Sequence, residues 1–387
     1  MTEMSTEELR QAGVALADTV QRFARAEIIP HLAQWEQAGE FPRELYRRAA
    51  SLGLLGLGYP EQFGGTPAPT SLRLVMVRAL CRHGTSGGVQ ASLLSHNIGL
   101  PPVVMLGSDE IRREVVPAVL AGERISALGI TEPGGGSDVA ALRTTARRDG
   151  DDYVVNGEKT FITSGMRADW ITLAVRTSES RGASGISLLL VPGDSPGLTR
   201  SRLDKMGWLS SDTAHLHFDN VRVPARNLLG EADTGFRAIM NNFNFERMML
   251  AAGALGFAEA CYDEALDWAQ QRRAFGSTLV GHQVVRHKLV DMQQRIRATA
   301  AWMEQLAAQA DAGDNGRDWV GAVAALKNQA TRTMQFCADA GVQILGGMGF
   351  MRGTVSERIY REVKVMTIGG GTDEIMKELA ARQWGIT

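Results

Sequence analysis

Apolar and polar positions alternate differently in three successive stretches of this chain. Over residues 6–122 the apolar residues recur with the spacing of one face of a helix. After residue 125 the spacing shortens to that of β-strands, and over residues 235–379 long helical patterns return. We therefore predict an α+β protein with three domains: an N-terminal helical domain (1–125), a middle β-domain that is a barrel or a sandwich (126–232), and a C-terminal helical bundle of the four-helix type (233–387).

Turn signals and short apolar runs predict individual elements within these stretches. Asn156-Gly157 stands between two strand-like runs, which favours a β-hairpin. Further strands are predicted at Trp170–Val175, Ile186–Val191 and Thr213–Phe218. In the helical stretches we predict loops at Tyr59–Pro69 and around Pro101, and breaks at Ala312–Asp318 and at the glycines after Leu345.

Composition narrows the class of protein without naming a function. The 387 residues carry 41 basic and 43 acidic side chains, a net charge of -2, which gives no electrostatic footprint for nucleic acid. No apolar run is long enough to span a bilayer, and the acidic, polar N-terminus lacks signal-peptide character. Cys81, Cys261 and Cys337 are odd in number and far apart, which predicts buried, reduced thiols in a cytoplasmic protein.

Several familiar catalytic motifs are absent from the sequence or in the wrong setting. Gly84–Gly88 matches the G-x-S-x-G nucleophile pattern, but a helical run precedes it where that motif needs a strand. There is no Walker loop, no H-E-x-x-H and no paired C-x-x-C, and only His215 and His217 share a strand face, so we predict no metal site. No G-x-G-x-x-G fits a βαβ unit, so any dinucleotide would be bound without a Rossmann fold.

The segment Ala127–Asp138 is the most informative stretch. A short apolar run ends at Thr131-Glu132, turns at Pro133 and opens into three consecutive glycines. Their backbone N–H groups can approach a flat or phosphorylated ligand closely because glycine has no Cβ. Ser137 and Asp138 then offer a hydroxyl and a helix-capping carboxylate. Taken alone, the segment is better interpreted as an ordinary strand–turn–helix junction.

Four separated segments together resemble the acyl-CoA dehydrogenase family over nearly the whole chain. They are Thr131–Asp138 with Phe161-Ile162-Thr163, Gln271–Gly276 with Gly281-His282-Gln283, Gln343–Phe350, and Glu357–Glu362 with Ile368–Ile375. The resemblance implies non-covalent FAD, an acyl-CoA substrate, a role in fatty-acid or branched-chain acyl metabolism, a homotetramer, and an electron-transfer flavoprotein as the electron acceptor.

The resemblance also assigns cofactor contacts residue by residue. Ile130 and Thr131 would border the flavin ring, Phe161 would pack on one of its faces where many relatives carry Trp, and Thr163 would donate its hydroxyl towards N5. The other cofactor-binding positions that it implies are Gly136, Ser137, Arg272, Phe275, Gln283, Gln343, Gly347, Thr372 and Glu374. Arg272, Phe275, Gln343 and Gly347 match positions that serve the FAD of a neighbouring subunit, whereas Thr372 matches a contact of the same chain.

The catalytic base is the point at which this sequence departs from much of the family. Where many members carry Tyr-Glu-Gly-Thr this chain has Gly369–Thr372, so the expected carboxylate is missing at Gly370. Glu246 is the alternative, since it lies on a helix that is apolar almost all round, with Phe243 and Leu250 on its face. Desolvation there should raise its pKa towards the strength of a useful base. Isovaleryl-CoA and long-chain acyl-CoA dehydrogenases are similar in lacking the C-terminal Glu and carrying their base in a Glu-Arg pair on this helix.

The resulting prediction is an FAD-dependent enzyme that converts an acyl-CoA to its trans-2-enoyl-CoA, with Glu246 abstracting the α-proton and flavin N5 taking the β-hydride. Ser137, Arg247 and the backbone N–H of Gly370 are the predicted substrate contacts, and Gly369 indicates room for branched or bulky acyl groups. Two alternatives stay open: a flavin-dependent oxidase or monooxygenase on the same fold, and a catalytically inactive protein that binds CoA or flavin.

Overall fold

The computed structural model describes residues 5–180 and 182–386. The first four residues of the polar N-terminus, on which part of the cytoplasmic prediction rests, lie outside that range. The N-terminal helices within it are α1 (Thr6–Phe23), α2 (Leu32–Ala38), α3 (Glu44–Ser51), α4 (Thr70–Gly84), α5 (Gly87–Leu93), α6 (His96–Gly99), α7 (Pro101–Leu106) and α8 (Asp109–Leu120).

Local sequence explains where several of these helices begin. Ser5, Ser86 and Ser108 cap α1, α5 and α8, each accepting a hydrogen bond from a backbone N–H of the first turn. The loop predicted around Pro101 is wrong, because Pro101 is the first residue of α7. Proline suits that position because the N–H that it lacks has no partner within the helix.

The middle stretch forms one eight-stranded sheet in the order β6-β7-β3-β2-β4-β5-β8, with β1 parallel to β4 at its side. Leu198 from one edge and Leu228 from the other pack against the same core cluster, so the sheet curls around its own core as the barrel prediction requires. Its strands are β1 (Ser126–Gly129), β2 (Thr145–Asp149), β3 (Asp152–Thr163), β4 (Trp170–Arg176), β5 (Ile186–Pro192), β6 (Leu198–Arg202), β7 (Thr213–Pro224) and β8 (Leu228–Leu229).

The hairpin predicted at Asn156-Gly157 is wrong. Both residues lie inside β3, and the real turn joins β2 to β3 at Gly150-Asp151. Gly157 has a φ of 143°, and the pairing of β3 with β7 shifts register between Val155 and Gly157. The dipeptide therefore marks a β-bulge, which also favours glycine, rather than a chain reversal.

The C-terminal stretch returns to helices and includes one β-hairpin that the helical pattern did not predict. Phe275 and Gly276 have φ values of 50° and 83°, as a tight two-residue hairpin turn requires. The elements are α9 (Gly235–Gln271), β9 (Arg273–Ala274), β10 (Ser277–Thr278), α10 (Gln283–Asp311), α11 (Arg317–Leu345), α12 (Val355–Met366) and α13 (Asp373–Trp384). The predicted breaks lie between α10 and α11 and after α11.

The two helical stretches share one hydrophobic core. Helix α9 packs most extensively against α11 and α4, and a single cluster runs from Val20 of α1 through Leu74 of α4 to Phe257 of α9 and Met366 of α12. Helix α9 is therefore surrounded by apolar neighbours from both ends of the chain, which is why its sequence is apolar almost all round.

Other sequence predictions can be checked against the fold. Cys81, Cys261 and Cys337 are buried and free, as predicted. Ser86 of the G-x-S-x-G match is buried at the start of a helix and follows another helix, so the match is no nucleophile elbow. Within residues 5–180 and 182–386, no helix is both long and apolar enough to cross a membrane.

Gly157 provides a test of the bulge. A Cβ added there would lie 2.7 Å from the backbone Cα of Thr144, so we expect Gly157→Ala to destabilise the protein by roughly 2–3 kcal/mol. Gly150→Ala is the matched control, since its φ is 59° but an added Cβ has no described atom within 4 Å, and we expect about 1 kcal/mol. Urea unfolding midpoints at one protein concentration measure both, and equal losses would contradict the packing assignment.

Candidate active site

The glycine loop after β1 is held by backbone hydrogen bonds, two within the loop and one to β3. Glu132 and Gly135 exchange two backbone hydrogen bonds of 3.2 and 3.0 Å, and the N–H of Thr160 in β3 donates to the carbonyl of Thr131 at 2.8 Å. Gly134 and Gly135 are exposed, and an added Cβ on either would meet no described atom within 4 Å. The loop therefore presents bare backbone on an open surface.

One expectation for this loop is wrong. Ser137 is exposed, but the segment that follows is a single 3-10 turn, and among the described residues the side chain of Asp138 makes no capping bond to it. The loop therefore continues without the helix N-terminus that the sequence suggested.

A buried ion pair between Lys159 and Glu132, which the sequence analysis did not predict, holds the glycine loop on the barrel. Lys159 of β3 is fully buried, and its Nζ donates to Glu132 Oε1 at 2.8 Å and to the carbonyl of Ile130 at 3.0 Å. Glu132 also accepts from the N–H of Arg143 and from the N–H and hydroxyl of Thr144. Burial lowers the pKa of Lys159 to about 8 against the opposing effect of Glu132. The signal in the sequence was a lysine at one of the inward-facing positions of β3, which indicates a buried cation that needs a partner.

The end of β3 exposes an aromatic ring next to this loop. Phe161 has a φ of 60° and lies where the pairing of β3 with β7 shifts register, and 68% of its surface is exposed. Thr163 follows at the end of the strand with an intermediate exposure, while Ile130 is buried beneath the loop. The structure therefore brings Ile130, Thr131 and Phe161 together at one edge of the barrel.

Glu246 lies on α9 with its carboxylate turned into the protein. The residue as a whole is half-buried, but Oε2 is inaccessible and has no hydrogen-bond partner among the described residues. The environment of that carboxylate, rather than the exposure of the whole side chain, governs its ionisation. Desolvation raises the pKa of Glu246 to about 7, although Arg247 and Lys327 both act to lower it.

The glycine turn after α12 lies directly against Glu246. Gly370 and Gly371 have φ values of 67° and 110°, a left-handed conformation that favours glycine. A Cβ added at Gly370 would lie 2.5 Å from Leu250 Cδ1 and 3.9 Å from Glu246 Oε1. The Glu246 carboxylate thus lies within van der Waals distance of the position that a Cβ at residue 370 would take.

Two buried cations hold this turn. Arg247 Nε donates to the carbonyl of Gly370 at 3.2 Å, and Lys327 Nζ of α11 donates to the carbonyl of Gly371 at 2.8 Å. Both side chains are buried. Lys327 was not predicted, although a charged residue on an apolar helical face is the same signal that selected Glu246.

The remaining predicted residues lie elsewhere. Arg272 follows the end of α9, about 38 Å from Glu246 at the rise of an α-helix. It lines a cleft with Gly347, and Gln283, Gln343 and the almost fully exposed Phe275 lie in the segments around that cleft. Thr372 caps α13, and Glu374 is exposed in its first turn.

His215 and His217 do share a face of β7, as predicted. Each approaches the Glu158 carboxylate, at 3.6 and 3.5 Å. Over the described range, no group of three or more His, Cys, Asp or Glu side chains could hold a metal ion.

Comparison with known proteins places this fold in one class. Three family models match consecutive parts of the chain: the acyl-CoA dehydrogenase N-terminal domain at residues 11–123, the middle domain at 127–221 and the C-terminal domain at 233–385. The mitochondrial long-chain specific acyl-CoA dehydrogenase of Sus scrofa is 37% identical over 370 residues, covering 95% of this chain and 85% of that protein.

Solved structures of acyl-CoA dehydrogenases have the same fold as this chain. A probable acyl-CoA dehydrogenase from Mycobacterium abscessus superimposes with a TM-score of 0.94 at 45% identity, covering 99% of this chain and 100% of that one. A glutaryl-CoA dehydrogenase from Mycobacterium smegmatis in complex with FADH2 superimposes with a TM-score of 0.92 at 27% identity, covering 99% and 97%.

The helical–barrel–helical fold is thus shared with a class of oxidoreductases. The chain belongs to the acyl-CoA dehydrogenase family, whose members are FAD-dependent and act on the CH–CH bond of acyl-CoA thioesters.

The residues at the barrel edge fit an FAD. The glycine loop offers exposed backbone at Gly134 and Gly135 that a ligand can approach closely, and Phe161 offers an exposed aromatic ring suited to packing on a flat ring. Arg272, in its separate cleft, has a guanidinium suited to a phosphate. The individual roles of these residues stay predictions.

The buried pair under the loop can be tested by mutation. Lys159→Met leaves the Glu132 carboxylate buried without its cation, so we expect a loss of about 3 kcal/mol in the free energy of unfolding. The double variant Glu132→Gln/Lys159→Met removes both charges and should recover part of that loss. Urea unfolding of the wild type, Glu132→Gln, Lys159→Met and the double variant measures the coupling between the two charges. A double variant no more stable than Lys159→Met would contradict the assignment of a stabilising ion pair.

The raised pKa of Glu246 predicts a pH-dependent effect on stability. The folded state holds the Glu246 proton up to about pH 7, whereas the unfolded chain releases it near the ordinary value of 4.5, so this group reduces stability as the pH rises between those values. Glu246→Gln should therefore be more stable than the wild type, by an amount that grows from pH 5 to pH 7 to at most about 3 kcal/mol. Unfolding midpoints across this range measure it, and a difference independent of pH would contradict the assignment.

Proposed function

We propose that this protein oxidises an acyl-CoA thioester to the trans-2-enoyl-CoA, with Glu246 as the base. One observation carries the proposal: Glu246 Oε1 lies 3.9 Å from the position that a Cβ at residue 370 would take, and position 370 is where the sequence lacks the expected acid. The carboxylate that is missing from the turn is thus replaced in space by one from α9.

The local chemistry of Glu246 suits proton abstraction. Its buried Oε2, without a partner in the described chain, is free to accept a proton from the α-carbon of a substrate placed beside the turn. A pKa of about 7 keeps a substantial fraction ionised near neutral pH while making that fraction a stronger base than an ordinary carboxylate. The Cα–H electron pair then remains on the substrate and forms the new Cα=Cβ bond as hydride leaves Cβ.

The turn itself can stabilise the charge that develops on the substrate. Loss of the α-proton places negative charge on the thioester oxygen, which a preorganised backbone N–H stabilises. We assign this role to the N–H of Gly370. Arg247 and Lys327 hold the carbonyls of Gly370 and Gly371, so the part of the turn that directly follows this N–H is held in place before the substrate binds. Arg247 then acts by positioning the turn, in addition to the substrate contact predicted for it.

FAD, when bound, supplies the acceptor for the β-hydride. Ile130, Thr131, Gly136, Ser137, Phe161, Thr163, Thr372 and Glu374 would hold it in one chain, and Ser137 would also contact the CoA portion. Arg272, Phe275, Gln283, Gln343 and Gly347 lie far along the molecule from Glu246, which supports their serving the FAD of a neighbouring chain in a homotetramer.

An electron-transfer flavoprotein is the proposed acceptor of the electrons. For the acyl group, the glycine at position 369 leaves room beside the reacting carbons for a branched or bulky chain. The name of the porcine relative indicates long-chain substrates for that protein. A substrate panel must therefore include straight, branched and aromatic acyl-CoAs.

Glu246→Gln tests the function directly. The variant should keep FAD and bind acyl-CoA but lose anaerobic flavin reduction by several orders of magnitude, because the proton acceptor is gone. Stopped-flow bleaching with the substrate panel measures the rate. In the wild type the rate should rise with pH through a value near 7 as Glu246 ionises.

Asp263→Asn is the matched control, since Asp263 is an exposed acid on the same helix. It should reduce its flavin at the wild-type rate. Full-rate reduction by Glu246→Gln would overturn the choice of base. Stoichiometric hydrogen peroxide during turnover in air would indicate an oxidase, and no bleaching of the wild type by any acyl-CoA would indicate an inactive homologue.

A further inference from the structure

Lys327 is a fully buried lysine on α11, and its surroundings show what compensates for its burial. An ammonium group removed from water is costly unless it is paired and hydrogen-bonded. Lys327 Nζ donates to the carbonyl of Gly371 at 2.8 Å. The charged groups that face it are Glu246 and Arg247 from α9 and Asp373 from the start of α13.

A neutral donor would be enough if α11 only had to hold this segment. Asn328, the next residue of α11, is such a neutral donor, and its Nδ2 donates to the carbonyl of Asp373 at 2.8 Å. Arg332, one turn further along the helix, binds the Asp373 carboxylate at 2.6 Å at an exposed position. Among these three α11 side chains, Lys327 is the one whose charge acts on Glu246.

We propose that Lys327 is a positioning residue for the dehydrogenation: it fixes the Gly370–Gly371 turn through the carbonyl of Gly371 and so holds a cation on the turn beside which the Glu246 carboxylate lies. The inference rests on the proposed function, because that function gives Glu246 and the Gly370 N–H their roles. Arg247 and Lys327 face the carboxylate from α9 and α11, whereas Gly369, Gly370 and Gly371 bring no charge to it.

Lys327→Met removes both the bond and the charge from a buried site without adding volume. We expect anaerobic flavin reduction to slow by roughly ten- to a hundredfold, as for other supporting residues of active sites. Without the cation, Glu246 should keep its proton to higher pH, so the acid limb of the pH–rate profile should move upwards. A purely structural role would not move that limb.

Two matched variants distinguish the effect of the Lys327 charge from the effect of bonds that only hold the segment in place. Lys327→Arg retains the cation, so its acid limb should stay near that of the wild type even if the rate falls. Arg332→Gln breaks the exposed bond to the same segment and should leave both rate and profile unchanged. If Lys327→Met does not fold, Lys327→Gln removes the charge while keeping an amide donor, and its acid limb should move in the same direction.

An infrared titration of the substrate-free protein gives a readout that needs no turnover. The protonated carboxyl band of Glu246, identified by its loss in Glu246→Gln, should persist to higher pH in Lys327→Met or Lys327→Gln than in the wild type. An unshifted band together with an unchanged rate would overturn the inference. Failure of the proposed function has a different signature: no acyl-CoA would bleach the wild-type flavin, while the infrared midpoint would still report on Lys327.

Discussion

Desolvation of one carboxylate is the constraint on which the proposed chemistry depends. Glu246 lies on a helix packed between apolar neighbours from both ends of the chain, and its Oε2 has no partner within the described residues. Such a group costs free energy that the large shared core must offset. The same environment raises its pKa to about 7. The cost to the stability of the protein and the greater basicity of Glu246 therefore have one physical cause, the removal of its carboxylate from water.

The glycines at the turn and the acid on α9 form one spatial arrangement. With Leu250 and the Glu246 carboxylate beside Gly370, a larger side chain at that position would have to displace Leu250. The left-handed φ values at Gly370 and Gly371 add a conformational reason for glycine. Two buried cations then hold the carbonyls of this turn, which fixes its backbone beside the Glu246 carboxylate.

A second constraint concerns the ends of the long helices. The cleft that contains Arg272 lies about 38 Å along α9 from Glu246, so one chain does not assemble all the predicted cofactor contacts at one place. Phe275 and Phe350, in the segments beside this cleft, are both large apolar side chains that are almost fully exposed. Association of chains would cover these rings and bring the separated cofactor contacts together, which is why the homotetramer is part of the proposed function.

The sequence by itself determined the α–β–α order, the family, and Glu246 as the acid on an apolar helix, because periodicity and motif order are properties of neighbouring residues. It misjudged Asn156-Gly157, since a bulge and a hairpin use the same dipeptide and only pairing with β7 distinguishes them. It also missed Lys159 and Lys327. A buried lysine is explained by its partners, and those partners lie 27 and 44 residues away along the chain, at Glu132 and Gly371. Only the tertiary structure brings such groups within hydrogen-bonding distance, and so only it decided what holds the site in place.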